Sequence, residues 1–266
     1  MGWRSLSRSV VGTRHQHRQL PCQDTGGTRI LGDIMLGAIA DGAGSASQSE
    51  IGAKLAIKIA LDYLENLEQW LQPNDEHPGW PTVERSPTEA QIKRLFERTT
   101  HKVRAALKQQ AEENGYGFED LASTVLAFVA TPHWFAAMQI GDGFIVGSSG
   151  DGTYQLMFQP DKGEFVNQTT FVTASTALED LQVRVIPGSP RFICAATDAF
   201  ERLALKTQDW STHPPFFKPL EEYLLETPSP EEDDTYIMGF LDSEYLNSHT
   251  DDDKTLLLCL YEPSGL

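Results

Sequence analysis

Cysteine is nearly missing from this chain: Cys22, Cys194 and Cys259 are all it has. An odd number is awkward for a disulfide framework, and none of the spacings is that of a cysteine-ligated zinc site. Cys194 and Cys259 fall within apolar runs, where cysteine acts as a small buried hydrophobe. Neither Cys22 nor Cys194 is flanked by the Gly/Arg loop that supports a reactive thiolate, so a cysteine nucleophile is not expected. Positive charge is also short. Against 38 acidic residues stand 21 lysines and arginines, a net charge of -17, and such a field repels nucleic acid and anionic membrane surfaces. Neither is expected as a partner. Long apolar runs are lacking too: no stretch would cross a bilayer. Met1-Gly2-Trp3-Arg4 opens polar and basic without a signal-peptide core, and Leu6 occupies the hydroxyl position of a myristoylation signal. A cytoplasmic, reduced protein is expected. At 266 residues and 40% hydrophobic, the chain can bury one large core, which predicts a single domain over 1–266.

What is present is a series of acidic turns at the ends of strand-like runs. Ile34 to Ala40 leads into Asp41-Gly42-Ala43-Gly44, Trp134 to Ile140 into Gly141-Asp142-Gly143, and Arg191 to Ala196 into Thr197-Asp198-Ala199. Cys22-Gln23-Asp24 comes earlier, and Asp251-Asp252-Asp253-Lys254-Thr255 precedes the last apolar run, Thr255 to Tyr261. A carboxylate beside a small residue at a strand end can point at a ligand while the strand fixes its position. Several converging on one point would repel unless a divalent cation neutralised them. The pattern predicts a metal site assembled from distant loops. A phosphorylated substrate, repelled at long range, would need those cations or a local arginine.

Between the turns the hydrophobic period changes. Ser47 and Glu50 have capping-box spacing, and Ile51, Leu55, Ile59, Tyr63, Leu67 and Leu71 recur four apart, predicting a long one-sided helix. Residues 72–87 read as a loop. Ser86-Pro87-Thr88-Glu89 then starts a second helix with Ser86 as cap, carrying Ile92, Leu95, Phe96, Val103 and Leu107 to Asn114-Gly115. Strands are predicted at 123–129, 134–140, 144–147 and 154–158, joined by hairpin turns. Loop-rich sequence suggests a flap at about 147–190, and an insertion at about 207–250 holds one short helix near Leu220 to Leu225. Strands, then helices, then strands argue for α+β layers.

In this order Gln23-Asp24, Asp41-Gly42-Ala43-Gly44, Ser123-Thr124, Gly141-Asp142, Thr197-Asp198 and Asp252-Asp253-Lys254-Thr255 resemble the metal-dependent type 2C (PPM) protein serine/threonine phosphatases, in particular the compact bacterial form, from about Val11 to Tyr261. The resemblance implies a four-layer α-β-β-α sandwich, two antiparallel sheets flanked by antiparallel helix pairs. It implies a Mg²⁺ or Mn²⁺ pair bridged by Asp41, with the Gly42 carbonyl on one metal, Asp198 and Asp252 on the other, and Asp24 supporting the second. Asp142 beside Asp198 would serve a third, looser metal. The implied reaction is hydrolysis of phosphoserine and phosphothreonine by direct attack of a metal-bridging water, on a phosphorylated protein opposed by a serine/threonine kinase. The chain departs from the pattern in places. The family's arginine position in the first motif is Gln19, which makes Arg18 the candidate phosphate ligand with Arg14 close by. Ala43 stands where many relatives have histidine, a role open to His15 or His17. Gln23 replaces a frequent glutamate, and Gly143 a serine. These departures motivate a rival, a catalytically silent module that binds a phosphoprotein or regulator. Asp251 to Thr255 also fits the D-x-D-x-T pattern of haloacid-dehalogenase-type phosphatases, but that class places it after an early strand, not before the last.

Overall fold

Alternation along the strands decides the architecture. In β3 (Ile34–Ala40), Ile34, Leu36, Ala38 and Ala40 join one buried cluster while Met35 and Ile39 join another. In β4 (Val125–Ala130), Val125, Ala127 and Val129 go one way, and Leu126, Phe128 and Ala130 the other. Strands apolar on both faces must lie between layers. The computed structural model describes residues 2–66, 85–159 and 169–263 and contains two five-stranded sheets, antiparallel at every pairing. One runs β2 (Thr25–Leu31), β3, β4, β5 (Trp134–Ile140), β8 (Gln182–Pro187); the other runs β1 (Trp3–Val10), β12 (Lys254–Tyr261), β9 (Phe192–Ala196), β6 (Phe144–Ser148), β7 (Gln155–Leu156), while β10 (Leu205–Lys206) and β11 (Ser211–Thr212) form a separate ribbon after the short helix α4 (Glu201–Ala204). Leu257, Cys259, Ile193 and Ala195 meet Phe128 and Phe135 between the sheets.

Helices α2 (Ser49–Leu64) and α3 (Glu89–Asn114) cover the outer face of the first sheet through Ala53, Ile57, Leu61, Leu95, Phe96 and Val103. The second sheet is covered by α5 (Pro214–Glu226), α6 (Thr235–Leu241) and α7 (Glu244–Asn247), which bury Phe217, Leu220, Leu224, Ile237, Leu241 and Leu246 on Leu256, Leu258 and Leu260. The expected α-β-β-α order is the observed one.

Helix starts differ from the expectation. The Ser47/Glu50 box does not form; α2 begins at Ser49 with no side-chain cap, and the Gln48 N–H donates to the Asp120 carbonyl at 2.9 Å instead. A tertiary acceptor has replaced the local one. The cap of α3 is Thr88, not Ser86: its hydroxyl accepts the Gln91 N–H at 3.3 Å, and Gln91 Oε1 accepts the Thr88 N–H at 2.9 Å. Leu67, Leu71 and most of the expected loop lie outside the described residues. The flap at 147–190 needs correction. Residues 160–168 are outside the described part, but Gln182–Pro187 is a sheet strand, Val172 and Ala177 are fully buried, and the Arg104 guanidinium is hydrogen-bonded to the carbonyls of Val172 and Ala174. The 207–250 insertion holds three helices rather than one.

Gly52 decides how closely α2 approaches the 3-10 turn Phe118–Leu121 ahead of β4, because a Cβ there would fall 2.1 Å from the Leu121 carbonyl oxygen. Gly52→Ala is therefore expected to cost about 2 kcal/mol, read as a lowered urea midpoint; an unchanged midpoint would mean that the turn gives way freely.

Candidate active site

Asp41 follows β3 and is latched by Thr124. Its N–H donates to Thr124 Oγ1 at 2.9 Å, and its carbonyl accepts the Thr124 N–H at 2.8 Å. Gly42 forms a bridge with Ser123, and a Cβ at Gly42 would fall 2.7 Å from the Gln23 carbonyl oxygen and 2.9 Å from Ser49 Cβ, so only glycine fits. The neighbouring Ser123-Thr124 motif thus serves as the socket for Asp41-Gly42. Asp24 is fixed across the two sheets. Thr197, at the end of β9, donates its hydroxyl to Asp24 Oδ2 at 2.8 Å and accepts the Thr255 N–H at 3.1 Å.

The acidic run before β12 divides its work. Asp251 is exposed. Asp252 Oδ1 accepts Arg14 Nη2 at 2.7 Å and the Asp253 N–H at 3.0 Å. Asp253 is buried, with Oδ1 accepting the Gly12 N–H at 2.7 Å and Oδ2 accepting the Gln23 N–H at 2.6 Å and His15 Nδ1 at 2.9 Å. With both oxygens occupied, Asp253 is a clamp and not the aspartyl nucleophile of the dehalogenase-type pattern. It ties the short helix α1 (Thr13–Arg18) to the start of β2.

Four carboxylates from four other turns act on Asp41. Burial first, then the charges of Asp24, Asp198, Asp252 and Asp142, hold Asp41 well above the usual carboxylate range. Asp24 is raised by burial too, against the Thr197 hydrogen bond, with Asp253 and Asp198 adding to the shift. Asp142 is buried and accepts the Thr169 hydroxyl at 2.5 Å. Like charges so placed favour protonation, and a divalent cation would relieve them. Among the described residues no three acidic, histidine or cysteine side chains stand as a closed metal cage. The chemistry of the acidic groups that act on Asp41 nevertheless fits hard cations, since all are carboxylates with no nitrogen or sulfur donor among them.

Asp24, Asp142, Asp198 and Asp252 all lie within electrostatic reach of Asp41, and Gly42 follows it directly, whereas Arg18 stands apart. Arg18 is exposed at the end of α1, and the guanidinium that reaches the acidic centre belongs to Arg14, one turn earlier. Residues four apart share a helix face only roughly, and where α1 sits decides which of them meets Asp252. His15 is buried on Asp253, whereas His17 is exposed. Burial and then the charge of Asp24 push the Cys22 thiol far up, which leaves it unreactive. Sequence reasoning missed the supporting roles of Thr197 and Asp253; both directly adjoin an acidic candidate, which was the available signal. Beside Asp198 and Asp252 lies a groove of about 680 Å³ lined also by Glu201, Arg202, Asn247 and His249. Buried Lys254 steadies its wall by donating to Asn247 Oδ1 at 2.6 Å.

The chain has counterparts among known proteins. The chain is 35% identical over 270 residues to serine/threonine-protein phosphatase 3 of Escherichia coli (strain K12), covering 98% of this chain and 99% of that one. Its fold matches a solved bacterial serine phosphatase with a TM-score of 0.64 at 12% identity, covering 98% of this chain and 99% of that one. It also matches the serine/threonine phosphatase Stp1 from Staphylococcus aureus with a TM-score of 0.62 at 13% identity, over 98% and 96% of the two chains. The protein phosphatase 2C family profile matches residues 11–241, and with a close relative along its whole length the chain belongs to that family of serine/threonine protein phosphatases.

Proposed function

We propose that the chain hydrolyses phosphoserine and phosphothreonine in proteins with Mg²⁺ or Mn²⁺ held by Asp24, Asp41, the Gly42 carbonyl, Asp198 and Asp252, and a third, weaker site between Asp142 and Asp198. The observation that carries this reading is the convergence of Asp24, Asp142, Asp198 and Asp252 on Asp41. Bound there, the metals would supply the Lewis acidity that makes water a nucleophile near neutral pH. The chain's own residues position and bind. Thr124 and Thr197 aim Asp41 and Asp24, and Arg14 presents a guanidinium suited to phosphate oxygens beside Asp252. A phosphoprotein substrate implies an opposing serine/threonine kinase. Three free cysteines suit the reducing cytoplasm. Among the described residues no helix is long and apolar enough to cross a membrane.

The test is release of phosphate from p-nitrophenyl phosphate and a phosphothreonine peptide with Mn²⁺, Mg²⁺ or EDTA, beside Asp198→Asn. Metal-dependent release that the substitution abolishes supports the reading; no release from folded protein in any metal sinks it and favours the silent binding module. A further expectation separates the two arginines. Arg14→Ala should lower kcat/KM on the phosphothreonine peptide by about tenfold or more, mostly through KM, while Arg18→Ala should leave it unchanged. The reverse ranking would restore Arg18 to the phosphate.

A further inference from the structure

The groove beside Asp198 and Asp252 does not end at the acidic centre. Arg202 and Leu203 line it and also line a second groove of about 780 Å³ on the helical layer of the second sheet. Four aromatic rings line it, those of Phe216, Tyr236, Phe240 and Tyr245. Phe216 and Phe240 have ring centroids 6.3 Å apart, and Phe200 packs on both at 6.0 and 6.3 Å. Tyr236 and Tyr245 are 52% and 61% exposed, and Tyr236 is held in place by stacking on Tyr223 at 5.3 Å. Rigid aromatic side chains left facing solvent are characteristic of binding surfaces.

The lining of this groove is basic where the chain is acidic, although Asp209 stands beside Lys206 just outside it. Arg202, Lys206 and His213 are among its lining residues and no acidic residue is, although acidic residues outnumber basic ones 38 to 21 overall. A positive wall of this kind would draw in an acidic segment that the rest of the molecule repels.

We propose that this second groove docks the part of the phosphoprotein substrate flanking the phosphorylated residue, seating an aromatic or large apolar side chain on Phe216, Tyr236, Phe240 and Tyr245 and an acidic side chain against Arg202 and Lys206. The occupant follows from continuity: a chain with its phosphate at Asp198 and Asp252 passes Arg202 and Leu203 into the second groove. The inference rests on the phosphatase reading of the adjoining site.

The experiment compares two phosphothreonine peptides, one with phenylalanine and glutamate flanking the phosphothreonine on both sides and one with alanine at those positions. p-Nitrophenyl phosphate, too small to reach the groove, runs beside them. The proteins are wild type, Lys206→Glu, and the double variant Tyr236→Ala/Tyr245→Ala, whose altered side chains are exposed and whose folding is checked by thermal melts. Wild type should prefer the phenylalanine–glutamate peptide by about tenfold in kcat/KM. Both variants should lose that preference while hydrolysing p-nitrophenyl phosphate at the wild-type rate. Equal kcat/KM for the two peptides in wild type, or a preference that survives both variants, overturns the proposal. If wild type releases nothing from p-nitrophenyl phosphate, the phosphatase reading has failed separately, and anisotropy of the same peptides, fluorescently labelled, decides the docking by the same preference. A wild-type dimer in sedimentation that the double tyrosine variant abolishes would assign the groove to a second copy of the chain and also overturn it.

Discussion

Asp41→Asn is expected to reduce Mn²⁺-dependent hydrolysis of a phosphothreonine peptide by about a thousandfold or more and, in EDTA, to raise the melting temperature. The two effects have one origin. Asp41 lies where Asp24, Asp142, Asp198 and Asp252 all act on it, and burial adds to their effect, so its folded pKa stands well above the ordinary 3.8. Where the folded pKa is the higher, the native state binds more protons than the unfolded chain. Unfolding free energy then falls as pH rises from the ordinary carboxylate pKa through the raised one. Asp24 has the same sign. In EDTA the wild-type protein should therefore melt lower at pH 7.5 than at pH 5, and Mn²⁺ should restore stability at pH 7.5 by binding only the folded carboxylate cluster. Asparagine at position 41 removes one charge from the cluster, which relieves repulsion without metal and forfeits much of the metal's gain. Differential scanning calorimetry of both proteins, with and without Mn²⁺, reads this out. A variant that melts lower than wild type in EDTA and keeps the full Mn²⁺ shift would make Asp41 a structural turn residue.

The parts of this site that could be read from the sequence are those where a short-range signal and the long-range structure agree. β3, β4 and β5 are runs buried on both faces, so their apolar residues are continuous and their ends, with Asp41 and Asp142, are plain. β1 is a different case. Ser5, Ser7 and Ser9 alternate along it, and Ser5 is buried only because its hydroxyl lies 2.9 Å from Thr28 Oγ1 on β2 while the strand pairs with β12 from Trp3 through Val10. Its pairing partners on β12 are more than two hundred residues away, and no local window contains them. Of the helices after β9, α5 shows in the sequence only as the short stretch near Leu220 to Leu225, because its first half is punctuated by proline. Pro214 and Pro215 sit in the first turn of α5, where a missing N–H costs little, and Pro219 lies within it. The acidic stretch after Pro230 is likewise tied to a distant residue, since Arg8 pairs with Glu231 and Asp234. The choice of Arg14 over Arg18 was illegible for a related reason: it depends on how Asp253 seats α1, which is a tertiary fact.

That seating leads to the second large effect. Asp253→Ala is expected to destabilise the fold by about 3–5 kcal/mol and to weaken metal binding in whatever remains folded. Asp253 is 3% exposed and receives the Gly12 N–H, the Gln23 N–H and His15 Nδ1 at 2.6–2.9 Å. Alanine leaves all three donors without their acceptor. The loss reaches the site through two attachments, since α1 presents Arg14 to Asp252 and Gln23 immediately precedes Asp24. Asp251→Ala, one exposed residue from Asp252, should change stability by no more than about 0.5 kcal/mol, which controls for loss of a negative charge from the same run. Asp253→Asn, with one oxygen still able to accept, should fall between the two. Urea unfolding of the three variants, followed by Mn²⁺ titration of melting temperature, gives the ranking. If Asp253→Ala unfolds at the same urea concentration as Asp251→Ala, the clamp contributes nothing, and the position of Arg14 must come from its own bonds, the N–H to the Asp251 carbonyl at 3.0 Å and the guanidinium to Asp252 Oδ1 at 2.7 Å.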